Sequence, residues 1–178
     1  MKTASSQSRA LIVIDVQNDY FPGGKLPLWQ ANDTLRNILS AIERAKKQAI
    51  PIIIVQHIVD PALGFTRFFV PDTPGVQLHP ALAEALPDAP VIVKHHTDAF
   101  FGTGLNALLA DMGIREALFC GMQTQNCVGL TAISHHAENI RTVILSDCCT
   151  AETEMVHQLA LYGFGDITTV TDSIHALG

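Results

Sequence analysis

The sequence predicts an α/β protein in which a mostly parallel sheet of six strands lies between two layers of helices. Short apolar runs rich in β-branched residues alternate along the chain with amphipathic segments, and this alternation favours parallel strands joined by right-handed helical crossovers. The runs are continuously apolar, as expected for strands buried on both faces. A length of 178 residues suits one domain, which we assign to residues 1–178.

Six segments account for the predicted strands. The first, ALIVID, is short, apolar and bounded by polar residues, and the next four resemble it, whereas the last, DITTV, is a weaker signal. In chain order, the strands are predicted at residues 10–15, 51–57, 91–95, 116–121, 141–147 and 166–170.

The segments between the strands predict helices. Residues 32–48 carry apolar side chains at helical spacing, and the helix predicted at 104–113 ends at a glycine, which favours a helix C-terminus. Two more helices are predicted at 125–138 and 151–164.

Residues 60–90 interrupt this rhythm, with six prolines and little periodicity. A connection of that length in a compact domain is usually functional, for example as a lid or substrate loop. A simple surface excursion is an equally good interpretation of the sequence alone.

Composition excludes several classes of protein. No segment approaches the ~20 apolar residues of a membrane span, and the scattered Lys and Arg in a chain of net charge −6 argue against a nucleic-acid surface. The first ten residues are polar and lack the apolar region of a secretory signal. We therefore expect a frayed lead-in and a cytoplasmic protein without nucleic-acid or membrane partners.

The four cysteines, Cys120, Cys127, Cys148 and Cys149, give no pattern typical of zinc or of a disulfide framework. Reduced thiols in a reducing compartment fit this pattern. A free cysteine is most often a small buried apolar residue, so any other role for one of the four needs a reason.

The sequence around Cys127 indicates such a role. Cys127 lies between the polar turn GMQTQN, which begins with a glycine, and the segment VGLTAIS, which is predicted to be helical. A thiol at a helix N-terminus has its pKa lowered by the helix dipole and by free N–H groups. A nearby cation would lower that pKa further. The sequence thus predicts a nucleophilic thiolate with a depressed pKa at Cys127.

Two charged residues at predicted strand ends could complete such a site. Asp15 ends the first strand and Lys94 interrupts the apolar third strand, and parallel strands bring their carboxyl ends to one edge of the sheet. Asp15 alone could be a turn-capping carboxylate, and Lys94 alone could extend its ammonium to solvent. As a pair they explain each other's placement, although a purely structural ion pair would do so too.

Taken together, ALIVIDVQNDYF, VIVKHHTDAFFGTGL and GMQTQNCVGLTA resemble, in this order, the isochorismatase-like cysteine hydrolases, which include nicotinamidases and N-carbamoylsarcosine amidohydrolase. The resemblance covers nearly the whole chain. It implies a three-layer α/β/α Rossmann-like fold, a homo-oligomer (dimer or tetramer) and a catalytic triad of Asp15, Lys94 and Cys127. It also implies a cis peptide bond at Met122–Gln123, and an oxyanion hole formed by the N–H groups of Gln123 and Cys127.

The reaction implied is hydrolysis of a C–N bond in a small amide or ureido substrate. Cys127 would attack the carbonyl carbon and form a thioester, and Asp15 would move the protons, first from the thiol to the leaving amine and then from water. Lys94 would orient Asp15 and stabilise negative charge. Isochorismatases proper cleave a vinyl ether and do not need the cysteine, so Cys127 favours C–N hydrolysis.

One departure from the family pattern concerns metal binding. Nicotinamidases carry Asp-x-His and a further His after the second strand, whereas this chain has Val55 two residues before His57, and His79 lies far along the chain. We therefore expect no metal and no cofactor, and interpret His57 and His79 as structural. Nicotinamidase activity and a non-catalytic small-molecule-binding protein remain the alternatives.

The predicted substrate contacts are Gln17, through a hydrogen bond, and an apolar wall that includes Phe21, Phe68 and Phe100. Phe65 and Phe69 lie in the same segments as this wall. His95 and His96 could face the pocket or be hydrogen-bonded fillers, and we favour the second interpretation.

A rival interpretation rests on GTGLNA at residues 102–107, which matches the G-x-G-x-x-A dinucleotide fingerprint. Its glycines lie several residues beyond the strand end, and no acidic residue follows about 20 residues later. We interpret this segment as a turn that enters a helix.

Overall fold

The computed structural model describes residues 8–64 and 67–178, and it contains a six-stranded sheet. Every strand pairs in parallel with its neighbour, in the order β3-β2-β1-β4-β5-β6. This confirms the predicted α/β fold. The strands are β1 (Arg9–Ile14), β2 (Ile52–His57), β3 (Val91–Lys94), β4 (Glu116–Met122), β5 (Arg141–Thr150) and β6 (Thr169–Thr171).

In the described part of the chain, six α-helices flank the sheet, and the sequence did not predict two of them. These two, α2 and α6, are only six and five residues long, too short to show a helical period. The helices are α1 (Ala31–Lys47), α2 (Pro80–Ala85), α3 (Leu105–Asp111), α4 (Gly129–Ala132), α5 (Glu154–Gly165) and α6 (Ser173–Leu177). None of the helices in the described ranges is both long and apolar enough to cross a membrane.

The helix predicted at residues 125–138 is wrong in its extent. A π-helical turn (Thr124–Val128) leads directly into α4, which ends at Ala132. The Asp98 carboxylate then accepts a hydrogen bond from Ser134 Oγ at 2.6 Å and lies 3.0 Å from His136 Nδ1. These contacts hold the chain after α4 in a turn instead of a helix.

The core has two layers because consecutive residues of each central strand point to opposite faces of the sheet. Leu11 and Val13 of β1 pack on the side covered by α1, α2 and α6. Ile12 and Ile14 pack on the side covered by α3, α4 and α5. Both faces of β1 are therefore buried, which explains its uninterrupted apolar sequence.

The segment 60–90 is packed against the domain. It holds α2, and it buries Phe69, Val76 and Leu82 in the core. The Asp19 carboxylate, itself buried, accepts a hydrogen bond from the Phe69 backbone N–H at 2.7 Å. The segment is thereby fixed close to the end of β1.

The strand order also locates the crevice in which such sheets bind ligands. The chain steps outward from β1 to β2 and β3, then returns to place β4 on the other side of β1. In open α/β sheets, ligands bind at the carboxyl ends of the strands where the order reverses. Here that position lies between the ends of β1 and β4.

The dinucleotide-like segment at 102–107 is a turn into a short helix, as interpreted. Gly104 is the N-cap of the seven-residue helix α3, ten residues beyond the end of β3. Of the first ten residues, predicted to be frayed, residues 1–7 lie outside the described residues, whereas Arg9 and Ala10 belong to β1.

Candidate active site

Three residues from three strand ends meet at the carboxyl edge of the sheet. The Nζ atom of Lys94 lies 3.0 Å from Asp15 Oδ2 and 3.1 Å from Cys127 Sγ. Asp15 and Lys94 are fully buried, and Cys127 is 1% exposed. The structure thus brings together the three residues that the sequence predicts as the catalytic triad.

Asp15 has an unusual backbone conformation. It follows the last residue of β1 with a φ of +52°, in the left-handed region that Asp tolerates better than most residues. Its N–H still bonds to Val55 O of β2 at 3.0 Å. The chain therefore turns sharply at Asp15 while remaining attached to the sheet.

The turn that carries Cys127 begins at Gly121, where β1 and β4 approach closely. Gly121 has a φ of +121°, and a Cβ atom there would lie 2.0 Å from Ile14 O, so no other residue fits without displacing β1. The peptide bond Met122–Gln123 is cis, as the family resemblance implies. The N–H groups of Gln123 and Cys127 belong to this turn, and their role as oxyanion donors stays a prediction.

His57 is a site residue that sequence reasoning missed. Its Nδ1 lies 3.1 Å from Lys94 Nζ, and 3.8 Å from both Asp15 Oδ2 and Cys127 Sγ. His57 ends β2 and is paired in register with Lys94 of β3. The strand-end argument used for Asp15 and Lys94 would have found it as well.

The Lys94 ammonium is surrounded by acceptors. Besides Asp15, Cys127 and His57, it donates to His96 O at 3.0 Å. An ammonium has three N–H donors, so these four groups share them. Such a set of partners compensates for burying the charge.

Asp15 and Lys94 stabilise each other's charged form. Burial alone would raise the pKa of the Asp15 carboxyl, but the Lys94 charge and His57 lower it below its usual value. Burial likewise opposes the charged form of Lys94, but Asp15 and Cys127 raise its pKa above the usual value. The pair is therefore ionised at neutral pH.

The predicted depressed pKa of Cys127 is wrong. Burial and the Asp15 carboxylate raise the pKa of this thiol to about 12, and they outweigh the lowering effect of Lys94. Cys127 lies within the kinked π-helical turn, directly after Asn126, whose dihedral angles are not helical, and not in the first turn of a regular α-helix. The resting site contains a neutral thiol beside a carboxylate.

A cavity of about 310 Å³ opens on this cluster, a volume suited to a small molecule. Cys127 and His57 line it, and Phe68 forms part of its wall, as predicted from the sequence. His95 and His96 also line the cavity, so the interpretation of these two as fillers is corrected.

Tyr20 contributes a polar group to the same cavity. Burial raises the pKa of this hydroxyl well above its usual value, and a hydrogen bond with the Gln123 side chain opposes that rise.

Three predicted substrate contacts are placed elsewhere. The Gln17 side chain is fully buried and exchanges hydrogen bonds with both backbone groups of His57, at 2.8 and 2.9 Å, which holds His57 in place. Phe21 packs on His79 in one core layer. Phe100 packs on Phe119 in the core layer on the other face of the sheet. Phe65 lies outside the described residues.

Asp15, His57 and Cys127 offer ligand atoms that all lie within 4.8 Å of one another. The Lys94 ammonium already contacts all three residues, at 3.0–3.1 Å. A zinc ion bonded to them at about 2.0–2.3 Å would face this charge directly. Val55, which stands where nicotinamidases carry the Asp of their metal-binding pattern, is an apolar residue of β2 and is fully buried on the face covered by α3, α4 and α5. These residues therefore do not fit a metal centre.

Comparisons with known proteins agree with this geometry. The isochorismatase domain model matches residues 9–173. An uncharacterised isochorismatase family protein of Bacillus subtilis is 35% identical over 81% of this chain and 78% of its own length. The nicotinamidase of Acinetobacter baylyi is 27% identical, over 85% of each chain.

The solved structures agree as well. The crystal structure of an isochorismatase family protein from Desulfovibrio vulgaris superposes with a TM-score of 0.85 and 25% identity. The match covers 95% of this chain and 96% of that one.

Proposed function

The chain belongs to the isochorismatase family of hydrolases, and on this basis we propose that it cleaves a C–N bond in a small amide or ureido compound through a thioester on Cys127. The observation that carries the proposal is the buried contact of Lys94 Nζ with both Asp15 and Cys127, beside a cavity of about 310 Å³.

The first step is attack of Cys127 on the substrate carbonyl carbon. Because the thiol pKa is about 12, the thiolate is not preformed. The ionised Asp15 carboxylate removes the thiol proton as the C–S bond forms, which is general base catalysis. Lys94, 3.1 Å from the sulfur, stabilises the negative charge that develops there.

The second step breaks the C–N bond. The oxyanion accepts hydrogen bonds from the N–H groups of Gln123 and Cys127, and Asp15 delivers its proton to the departing ammonia or amine. Water then attacks the thioester with Asp15 as base, releasing the acid and restoring the thiol. His57, fixed by Gln17 and 3.1 Å from Lys94, holds the ammonium between Asp15 and Cys127.

Nicotinamidase activity is the second candidate. The 27% identity with the nicotinamidase of Acinetobacter baylyi favours it. The metal-ligand pattern of nicotinamidases is interrupted here at Val55, which argues against it.

The test is ammonia release from a panel of primary amides, ureido compounds and nicotinamide. We expect release with the wild type and a loss of at least about 10³-fold in Cys127→Ala. Cys148→Ala, the same substitution at a buried cysteine on the other face of the sheet, is the matched control and keeps the activity. Acid quenching during turnover traps the acyl group on the Cys127 peptide, which mass spectrometry detects.

Two outcomes would contradict the proposal. Release that survives in Cys127→Ala would exclude the thioester route. An absence of release from every compound would favour the non-catalytic alternative.

A further inference from the structure

A second cavity, of about 620 Å³, adjoins the catalytic cavity. Phe68 and Asn126 line both cavities, so the two spaces meet at a shared wall. Asn126 directly precedes Cys127 in the chain. A substrate would reach the second space from Cys127 if it extends past Phe68 and Asn126.

The second cavity is lined by two cations, Lys25 and Arg67. Within residues 8–64 and 67–178, neither side chain forms an ion pair, whereas Arg9, Lys46 and Arg141 all do. The chain as a whole has a net charge of −6, so its overall field disfavours an approaching anion. Two cations without an ion pair make the surroundings of this cavity more favourable to an anion than the rest of the surface.

Gln125 also lines this cavity. Its Oε1 atom is buried without a hydrogen-bond partner among the described residues, while its amide nitrogen donates to Gln123 Oε1. Glu152 also lines the cavity, and its carboxylate limits the favourable charge of a ligand to about one negative unit.

We propose that the substrate is an amide or ureide bearing a carboxylate, which binds Lys25 and Arg67 in the second cavity while the scissile carbonyl lies at Cys127. This inference rests on the proposed function and narrows it to a substrate class. Lys25 and Arg67 determine specificity and take no part in bond breaking.

The test compares amides that differ only in charge. Succinamate and glutaramate are each paired with the neutral amide in which a methyl group replaces the carboxylate, namely butanamide and pentanamide. We expect kcat/KM to be higher for each acid by about tenfold, and this preference to fall as salt is raised from 0.05 to 0.5 M because exposed charges are screened.

The variants locate the source of the preference. Lys25→Ala and Arg67→Ala should each reduce the acid-to-neutral ratio of kcat/KM by about three- to fivefold, the range expected for an exposed ion pair. Glu152→Gln should increase the ratio. Lys47→Ala removes an equal charge at the C-terminal end of α1 and is the matched control. It should leave kcat/KM unchanged for both the acid and the neutral amide.

The outcomes distinguish this inference from the proposed function. Equal kcat/KM for acid and neutral amides, or a preference that survives both Lys25→Ala and Arg67→Ala, would overturn the carboxylate assignment while C–N hydrolysis stands. If no amide is hydrolysed, the proposed function fails, and calorimetric titration with glutarate decides the inference. Binding that Lys25→Ala and Arg67→Ala weaken supports it, and an absence of binding overturns it.

Discussion

At the scale of single residues, the site depends on an ionised pair that is removed from water. Asp15 and Lys94 are fully buried and lie 3.0 Å apart. Removing one member of such a pair leaves a buried charge without a partner and destabilises the folded protein. Replacing both members by uncharged residues can leave the stability nearly unchanged. Stability and activity should therefore respond differently to changes at these positions.

We expect Lys94→Met to lower the free energy of unfolding by about 3–5 kcal/mol. The double variant Asp15→Asn/Lys94→Met should recover most of that loss, because no buried charge remains, while hydrolysis stays abolished. Urea denaturation of the wild type, both single variants and the double variant measures the coupling. A double variant whose loss equals the sum of the single losses would contradict a paired site.

Alkylation of Cys127 by iodoacetamide should follow the raised pKa of its thiol. With a pKa of about 12, we expect the rate to rise about tenfold per pH unit from pH 7 to 9, since only the thiolate reacts. Asp15→Asn should accelerate the reaction at a given pH, because the Asp15 charge raises the thiol pKa. Peptide mapping by mass spectrometry gives the rate, and a plateau near pH 7 would indicate a preformed thiolate.

His57 shows what sequence reasoning could and could not reach at this scale. Asp15 and Lys94 were found because a charge at the end of an apolar strand is conspicuous. A histidine in the same place is compatible with a buried core, so His57 was interpreted as structural. The prediction of a depressed pKa for Cys127 was wrong for a different reason. The burial that raises this pKa depends on packing, which the local sequence does not specify.

At the scale of elements, α5 supports the turn that carries the nucleophile. His157 is the buried residue of α5, and its Nδ1 lies 2.8 Å from Oγ1 of Thr124, the first residue of the π-helical turn that contains Cys127. Burial lowers the pKa of His157 below its usual 6.5. The folded protein therefore holds this ring neutral at a pH where the unfolded chain begins to protonate it.

The sign of the resulting pH dependence follows from linkage. The stabilisation from neutral His157 is fully present above pH 6.5 and is lost as the pH falls from 6.5 towards the lower folded-state pKa. We expect the wild type to lose stability between pH 7.5 and 5.5, and His157→Asn to show a smaller change. Urea denaturation at both pH values measures this, with His135→Asn, at an exposed position, as the control. An unchanged pH dependence in His157→Asn would exclude this role.

Element prediction succeeded where the sequence signal is repetitive. The buried strands β1, β2 and β4 were found because a continuous apolar run identifies a strand that is covered on both faces. The expected burial of β3 on both faces was wrong, because Val91 and Val93 are more than 40% exposed at this edge of the sheet. The helix at 125–138 was overextended because its end depends on the Asp98 carboxylate, which binds Ser134 and His136 from about 36 residues away. A contact of that sequence separation leaves no local pattern.

At the scale of the whole molecule, α5 also presents an apolar outer surface. Met155, Leu159 and Tyr162 recur at helical spacing and are 72%, 65% and 80% exposed. No charged residue occurs between residues 155 and 165, so this surface avoids the repulsion that a net charge of −6 would otherwise impose between two copies. A large exposed apolar surface usually marks an interaction site, and we propose that a second copy of the chain covers this one.

We therefore expect a homo-oligomer in solution, with this surface at the contact. Light scattering coupled to gel filtration should give the mass of a dimer or tetramer for the wild type. Leu159→Glu should shift the protein to the monomer, because it buries a charge twice in a symmetric contact. Lys47→Glu, on a helix across the sheet, should not. A monomeric wild type, or an oligomer unaffected by Leu159→Glu, would contradict this assignment.

The position of Lys94 has one further consequence for how the enzyme depends on its surroundings. Its ammonium lies between a carboxylate, an imidazole and a thiol. These three groups are ones that can also bind a metal ion. A charge that is covalently tethered to the polypeptide cannot be stripped by a chelator or replaced by a competing ion. The positive charge of this site is therefore in place as soon as the chain has folded.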